Sequence, residues 1–247
     1  MKKLFLAGLT ALMLVGCAQP QAATTEQECP ECEKCEECEK CEECEVCPEV
    51  PTVAELPGNV DTTKEYKPDA NKDETKPCEE GVWNPGCAAI TKDNIDQYLN
   101  REDVLYIDTR DYEAYSKGHF RNFECIPFFA LVYPMGGQPA EGKELVQLYS
   151  GDVKDPKPTY EESDAVLEMF FPKDKTLFLM CQSGGRVAQL MSILEARGWD
   201  MSKVYNITGW GSLTENAKLM ESAVVMDDYF NDLAFDYSFS NLTKVAE

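Results

Sequence analysis

The chain has a single histidine, His119, in 247 residues. Any catalysis that pairs a nucleophile with an imidazole therefore rests on that one side chain. Basic residues are scarce as well: 23 Lys and Arg stand against 45 Asp and Glu, a formal charge of −22. Such a chain repels nucleic-acid phosphates and anionic lipid headgroups, so neither is an expected partner. Long apolar runs are missing too. The apolar stretch Leu4 to Val15 covers 12 residues, too few for a good membrane-spanning helix. Between Glu28 and Glu49 aliphatic side chains almost vanish, leaving Val46 alone among ten Glu and two Lys. That composition cannot bury enough apolar surface to offset the entropy of ordering.

What stands at the N-terminus reads as a targeting segment. Lys2 and Lys3 precede the apolar stretch, so residues 1–16 are expected to be a signal peptide. Leu14-Val15-Gly16-Cys17 resembles the lipobox of bacterial lipoproteins. An ordinary secretory signal is the alternative, but a cysteine directly after a small residue favours lipidation. The expectation is a chain held at the extracytoplasmic face of the cell membrane by a lipid on Cys17, without spanning it.

Residues 17–76 read as a disordered acidic tether, stiffened by Pro48, Pro51, Pro57 and Pro68. The tether carries Cys29, Cys32, Cys35, Cys38, Cys41, Cys44 and Cys47 at a strict period of three. In a polyproline II-like chain all seven fall along one edge, whereas an α-helix winds them around its axis. Cys-x-x-Cys pairs suit tetrahedral thiolate sites for zinc or iron–sulfur clusters. No apolar frame surrounds these, however, and outside the cytosol they could equally pair as disulfides with one left over. A spacer, a disulfide stack, a soft-metal site and a sulfur or redox relay all stay open. Further on, Cys78 and Cys87 flank Glu79 to Gly86. In an exported chain they are expected to form a disulfide closing a short loop.

The remainder alternates strand and helix. Val104–Ile107, Phe123–Ile126, Leu177–Met180 and Val204–Ile207 read as strands, the apolar ones of the kind a covered parallel sheet needs. Thr91 reads as the N-cap of a helix through Ile95, Tyr98 and Leu99, and Asp111–Lys117 as a short helix stopped by Gly118. Val187–Arg197 has one apolar face and is closed by Gly198. This pattern implies a three-layer α/β/α domain with a central parallel sheet over residues 77–220, with ligands at the carboxyl ends of the strands. Residues 221–247 form an acidic, aromatic extension whose role is unreadable.

The most informative stretch is Cys181-Gln182-Ser183-Gly184-Gly185-Arg186. It joins an expected strand to an expected helix, where unpaired N–H groups and the positive end of the helix dipole converge. Such a setting favours thiolate over thiol. The small residues let the loop curl with its N–H groups around the sulfur. The alternative is a buried core cysteine.

Here the chain resembles the rhodanese family of sulfurtransferases. The likeness extends through Val104-Leu105-Tyr106-Ile107-Asp108-Thr109-Arg110, Gly118-His119-Phe120, Cys125-Ile126-Pro127-Phe128, Phe171-Pro172-Lys173-Asp174-Lys175 and Val204-Tyr205-Asn206-Ile207-Thr208-Gly209, covering roughly residues 88–220. It implies a sulfurtransferase that moves sulfane sulfur through a persulfide on Cys181. Gln182, Ser183, Gly184, Gly185 and Arg186 would cradle the substrate, a small thiosulfate-like donor. A thiol or cyanide would be the acceptor, and no cofactor is implied. Cysteine phosphatases have five residues between Cys and Arg; four separate Cys181 from Arg186, a ring better suited to a persulfide sulfur than to phosphate. The chain departs from the family in having Gly209-Trp210-Gly211 after the last strand, and a segment from Phe128 to Phe171 about twice the usual length. The competing reading is a non-catalytic sulfur- or metal-binding surface lipoprotein that works through its cysteine repeat.

Single residues carry weaker expectations. Asp108 is expected to bind Arg110 or nearby N–H groups, and His119 to be architectural, which leaves loop and helix to activate Cys181. Arg186 is poised between anion binding and a structural ion pair. Cys125 reads as core packing, with a resolving thiol as the alternative. Trp210 either walls the pocket or fills the core.

Overall fold

A computed structural model of the chain describes residues 54–135, 146–225 and 241–246. Cys17 and the seven cysteines of the repeat lie outside the described residues, as do the expected signal peptide and the aromatics between Tyr229 and Phe239.

Four parallel strands form the centre of the fold in the order β5-β3-β8-β9. They are β3 (Val104–Asp108), β5 (Phe123–Cys125), β8 (Thr176–Cys181) and β9 (Val204–Gly209). β3 and β8 are almost wholly buried, as apolar runs in the middle of a covered sheet must be. Their alternation divides two cores. Ile107, Leu177, Leu179 and Cys181 face α3 (Gly185–Ala196) and α2 (Ser163–Phe170). Tyr106, Phe178, Met180 and Ile207 face a 3-10 turn at Ile95–Tyr98, α4 (Trp210–Leu213) and α5 (Ala217–Glu221). The expected three layers are present.

Smaller elements surround this frame. α1 (Tyr112–Lys117) runs into β4 (Gly118–Phe120), which pairs antiparallel with β10 (Ala223–Val225). A π-helical turn at Phe128–Val132 follows β5. The described part of the long segment after Phe128 supplies a hairpin, β6 (Tyr149–Asp152) and β7 (Asp155–Pro158), and then α2. Part of the C-terminal extension packs back: Thr243 bonds the Glu162 carboxylate, and Val245 N–H donates to the Thr159 carbonyl.

The structure corrects two expectations. The tether expected through residue 76 is ordered from Ala54 on. Leu56 packs on one core and Val60 on the other, and Asn59 donates to the Met201 and Val204 carbonyls. A short pair, β1 (Glu65–Tyr66) with β2 (Lys76–Pro77), completes that stretch. Composition averaged over the Cys/Glu repeat hid these anchors. The helix expected from Thr91 is only the 3-10 turn, without a side-chain cap at its N-terminus. Asn100, at φ 60°, turns the chain away soon after it. Gly118 ends α1 as expected, but with an extended backbone, φ 174°. Its missing side chain makes room for the Trp210 ring, which a Cβ there would approach to 3.0 Å.

Candidate functional site

Cys181 ends β8, and Gly184 is the N-cap of α3 with φ 87°, so three residues turn the chain from strand to helix. Gly184 N–H donates to Cys181 Sγ at 3.1 Å. Among the described residues it is the one backbone amide that bonds this sulfur, fewer than the ring expected from residues 182–186. The side-chain parity of β8 puts Cys181 with Leu177 and Leu179, and the residue is only 1% exposed. Gln182, Ser183 and Gly185 are exposed on the outer side of the turn. The sulfur is thus both amide-bonded and roofed over.

Two glycines allow this turn. A Cβ on Gly209 would lie 2.5 Å from Gln182 C and Ser183 N, so the loop backbone rests directly on the end of β9. A Cβ on Gly184 would lie 2.5 Å from Pro85 Cβ. Opposite the loop, β9 is irregular: Leu179 pairs with Asn206 but Cys181 with Gly209, so the outer strand carries one residue more. Thr208, at φ 73°, absorbs the extra residue. A β-branched residue in that region is strained, and Asn206 Oδ1 steadies it by accepting the Thr208 N–H at 3.0 Å. Bulges of this sort re-aim the chain beside functional sites. The Gly211 N–H then donates to the Gln182 carbonyl, tying α4 to the loop.

Arg186, in the first turn of α3, faces Asp111 at 3.3 Å and lies over the Phe129 ring at 5.2 Å. Its side chain is 21% exposed. The ion-pair partner was not legible in the sequence, where Asp111 looked only like the start of a helix. Asp108 and Arg110 form a bidentate pair, 0% and 2% exposed, and Arg110 also donates to the Gly118 carbonyl. Trp210 lies over this guanidinium at 4.6 Å and against Phe120. Trp210 therefore caps a buried ion pair.

His119 accompanies that architecture. Its ring stacks on Tyr115 at 4.0 Å, and its Nδ1 meets the Tyr115 carbonyl, which fixes the proton on that nitrogen. Burial pushes the Tyr115 phenol up to about 12. Cys125 Sγ lies 3.6 Å from the Arg110 carbonyl, and burial, with Asp108 adding to it, pushes that thiol well above its ordinary range. A resolving thiol needs ready ionisation, so the core-packing role fits Cys125.

Cys78 and Cys87 are joined in a disulfide, their Cα atoms 5.5 Å apart. Among the described residues no group of three His, Cys, Asp or Glu side chains is placed to hold a metal ion, and no helix is long and apolar enough to cross a membrane. A cavity of about 340 Å³ opens elsewhere, between Tyr106, Arg121, Phe123 and Lys218.

The parallel α/β domain thus delivers a cysteine from the end of β8 to a glycine-rich turn at the N-terminus of α3. Residues 91–210 match the Rhodanese-like domain family. It is similar to a rhodanese-like domain protein from Staphylococcus aureus, at 19% identity and a TM-score of 0.30, over 51% of this chain and 87% of that one. It is also similar to a rhodanese-like domain from Anabaena sp., at 13% identity and a TM-score of 0.32, over 63% of this chain and 90% of that one. No curated protein matches the chain.

Proposed function

We propose that this protein is an exported, lipid-anchored sulfurtransferase in which Cys181 carries sulfane sulfur as a persulfide. One observation carries the reading: within a rhodanese-like domain, Cys181 ends the central strand with its sulfur on the Gly184 amide. The Cys181 thiolate attacks the outer sulfur of a thiosulfate-like donor. A new S–S bond forms as the donor's S–S bond breaks, and sulfite leaves with the electron pair. The Gly184 amide on Cys181 Sγ supports the negative charge that the persulfide carries, as a hydrogen-bond donor supports an oxyanion in an acyl-transfer site. A thiolate or cyanide acceptor then attacks that terminal sulfur, and Cys181 departs as thiolate.

In this reading Arg186 exchanges its ion pair with Asp111 for the donor's anionic end, held by charge-assisted hydrogen bonds. Cys181 is nearly closed from solvent, so donor access requires local opening of the turn. Anchoring through Cys17 to the extracytoplasmic face rests on Lys2, Lys3, the apolar stretch and the lipobox-like residues. Steady-state assay with thiosulfate and cyanide tests the activity. Sulfite and thiocyanate should form in equal amounts, and Cys181→Ser should form neither.

A second reading has one observation in its favour, the 1% exposure of Cys181. In that reading the domain is a non-catalytic scaffold and the Cys29–Cys47 repeat does the work as a sulfur or soft-metal site. Thiolate-to-metal absorption in the full-length chain on titration with zinc or cobalt, unaltered by Cys181→Ser and without any thiocyanate formation, would favour it.

A further inference from the structure

Residues 78–87 lie before the family-matched stretch, yet they reach its cysteine turn. Pro85 sits against Gly184 so closely that no Cβ fits between them. The Trp83 indole N–H donates to Glu195 of α3 at 2.9 Å, and the Trp83 carbonyl accepts from Asn206 Nδ2 at 3.1 Å. The same Nδ2 donates to the Gly184 carbonyl, also at 3.1 Å. Asn206 is 3% exposed and uses both ends of its amide, since Oδ1 holds the strained Thr208. Gly184 in turn supplies the N–H on Cys181 Sγ. A glycine has the freest backbone of any residue, so its N–H keeps a direction only if something outside fixes it. Here Asn206 pins the carbonyl, and Pro85 crowds the α-carbon on the face where Asn206 Oδ1 also lies. The Cys78–Cys87 disulfide closes the loop that carries both Trp83 and Pro85.

We infer that Asn206 is a positioning residue which, with the disulfide-closed loop 78–87, forms a brace that holds Gly184 in place and its N–H on the Cys181 sulfur. The inference deepens the sulfurtransferase reading and rests on it for the meaning of Cys181. The physical claim, that the loop and Asn206 act on the turn as one unit, stands on the contacts alone. Asn206→Asp keeps the acceptor for Thr208 but turns an oxygen toward two carbonyls. Cys78→Ser with Cys87→Ser opens the loop and leaves Asn206 intact.

The test uses the full-length chain, the two variants and their combination. Iodoacetamide labelling of Cys181 is followed by peptide mass spectrometry, with Cys125 on β5 as the reference within the same molecule. Because Cys181 is roofed, labelling reports local opening. Each variant should raise Cys181 labelling relative to Cys125 by about fivefold or more, the effect of losing about one buried hydrogen bond. The combination should add little to the larger single effect, because both changes undo the same brace. In thiosulfate loading, the maximal rate should fall while the half-saturating concentration should not rise, since the donor's own contacts are untouched and the turn opens more readily. Unchanged labelling, an increase shared equally by Cys125, or single effects that multiply in the combination would overturn the brace. If the wild type takes up no sulfur, the sulfurtransferase reading fails, while the labelling ratios still decide whether the brace exists. Should Asn206→Asp not fold, the double serine variant gives the same decision through its Cys181-to-Cys125 ratio.

Discussion

Cys181 owes its place to parity along β8, which groups it with Leu177 and Leu179, and its hydrogen-bond partner to a glycine that only a left-handed backbone could supply. The arginine at the other end of the turn is spoken for by Asp111 until a ligand arrives. Arg186→Ala should therefore raise the half-saturating thiosulfate concentration about tenfold or more, the worth of a charge-assisted hydrogen bond. The maximal rate should change less. Saturation kinetics of sulfur loading separate the two, and an unaltered half-saturation would assign Arg186 to structure alone. Asp108 and Arg110 have the opposite character. With both side chains buried, Asp108→Ala leaves an unpaired guanidinium under Trp210 and should cost about 3–5 kcal/mol in denaturant unfolding. A loss below about 1 kcal/mol would show that the pair is not desolvated as described.

At the scale of elements, the turn is gripped from two sides, by the bulged end of β9 and by the disulfide-closed loop. Gly209→Ala would push a methyl group into the Gln182 and Ser183 backbone. It should destabilise the fold by about 1–3 kcal/mol and displace the cysteine loop, visible as a changed amide exchange pattern at residues 182–184. Another link joins α2 to α3. Arg197 pairs with Asp164, which also accepts the Tyr149 hydroxyl at 2.5 Å. The Arg197 hydrogen bond holds the Asp164 carboxyl below its usual range, against burial and with help from Tyr149. A depressed folded-state value means that this stability is full above the unfolded carboxylate range, near pH 4, and is lost as pH falls through the folded value. Arg197→Gln should thus lower stability at neutral pH and flatten the acid limb of a melting-temperature profile. An unchanged acid limb would sink the linkage.

The strands and the helix after Cys181 were legible because each satisfies a simple period over several residues. The limits of that legibility are local. Thr208 in the left-handed region is steadied by Asn206, whose own amide is held by Trp83 and Gly184 far away in sequence; the short 3-10 turn after Thr91 and the extended Gly118 meet Asn216 and Trp210, also distant. The Cys181 turn was readable as a motif. Its burial and its single amide were not, because they depend on how Asn206 and Pro85 bear on Gly184 and on the core that Cys181 joins. A pairing of Cys78 with Cys87 could be anticipated from their spacing; what that loop touches could not.

For the molecule as a whole, a charge of −22 over 247 residues opposes compaction through self-repulsion and also opposes the approach of a dianionic donor. Raising ionic strength from about 10 to 150 mM should therefore raise the melting temperature and speed sulfur loading together, as the screening length falls from about 30 to 8 Å. Melting and loading curves at fixed pH check this, and loading that slows with salt would point to a local basic funnel at the site. The ordered stretch from Ala54 onward means that the acidic repeat is separated from the domain by about twenty fewer residues than composition suggested.

The most direct test is a peptide-resolved mass spectrum of the full-length protein, taken before and after thiosulfate without reductant. One added sulfur atom on the peptide that contains Cys181, removed by cyanide and absent from Cys181→Ser, is the predicted result. A wild-type peptide of unchanged mass, or an added sulfur that persists when position 181 is serine, would contradict the account.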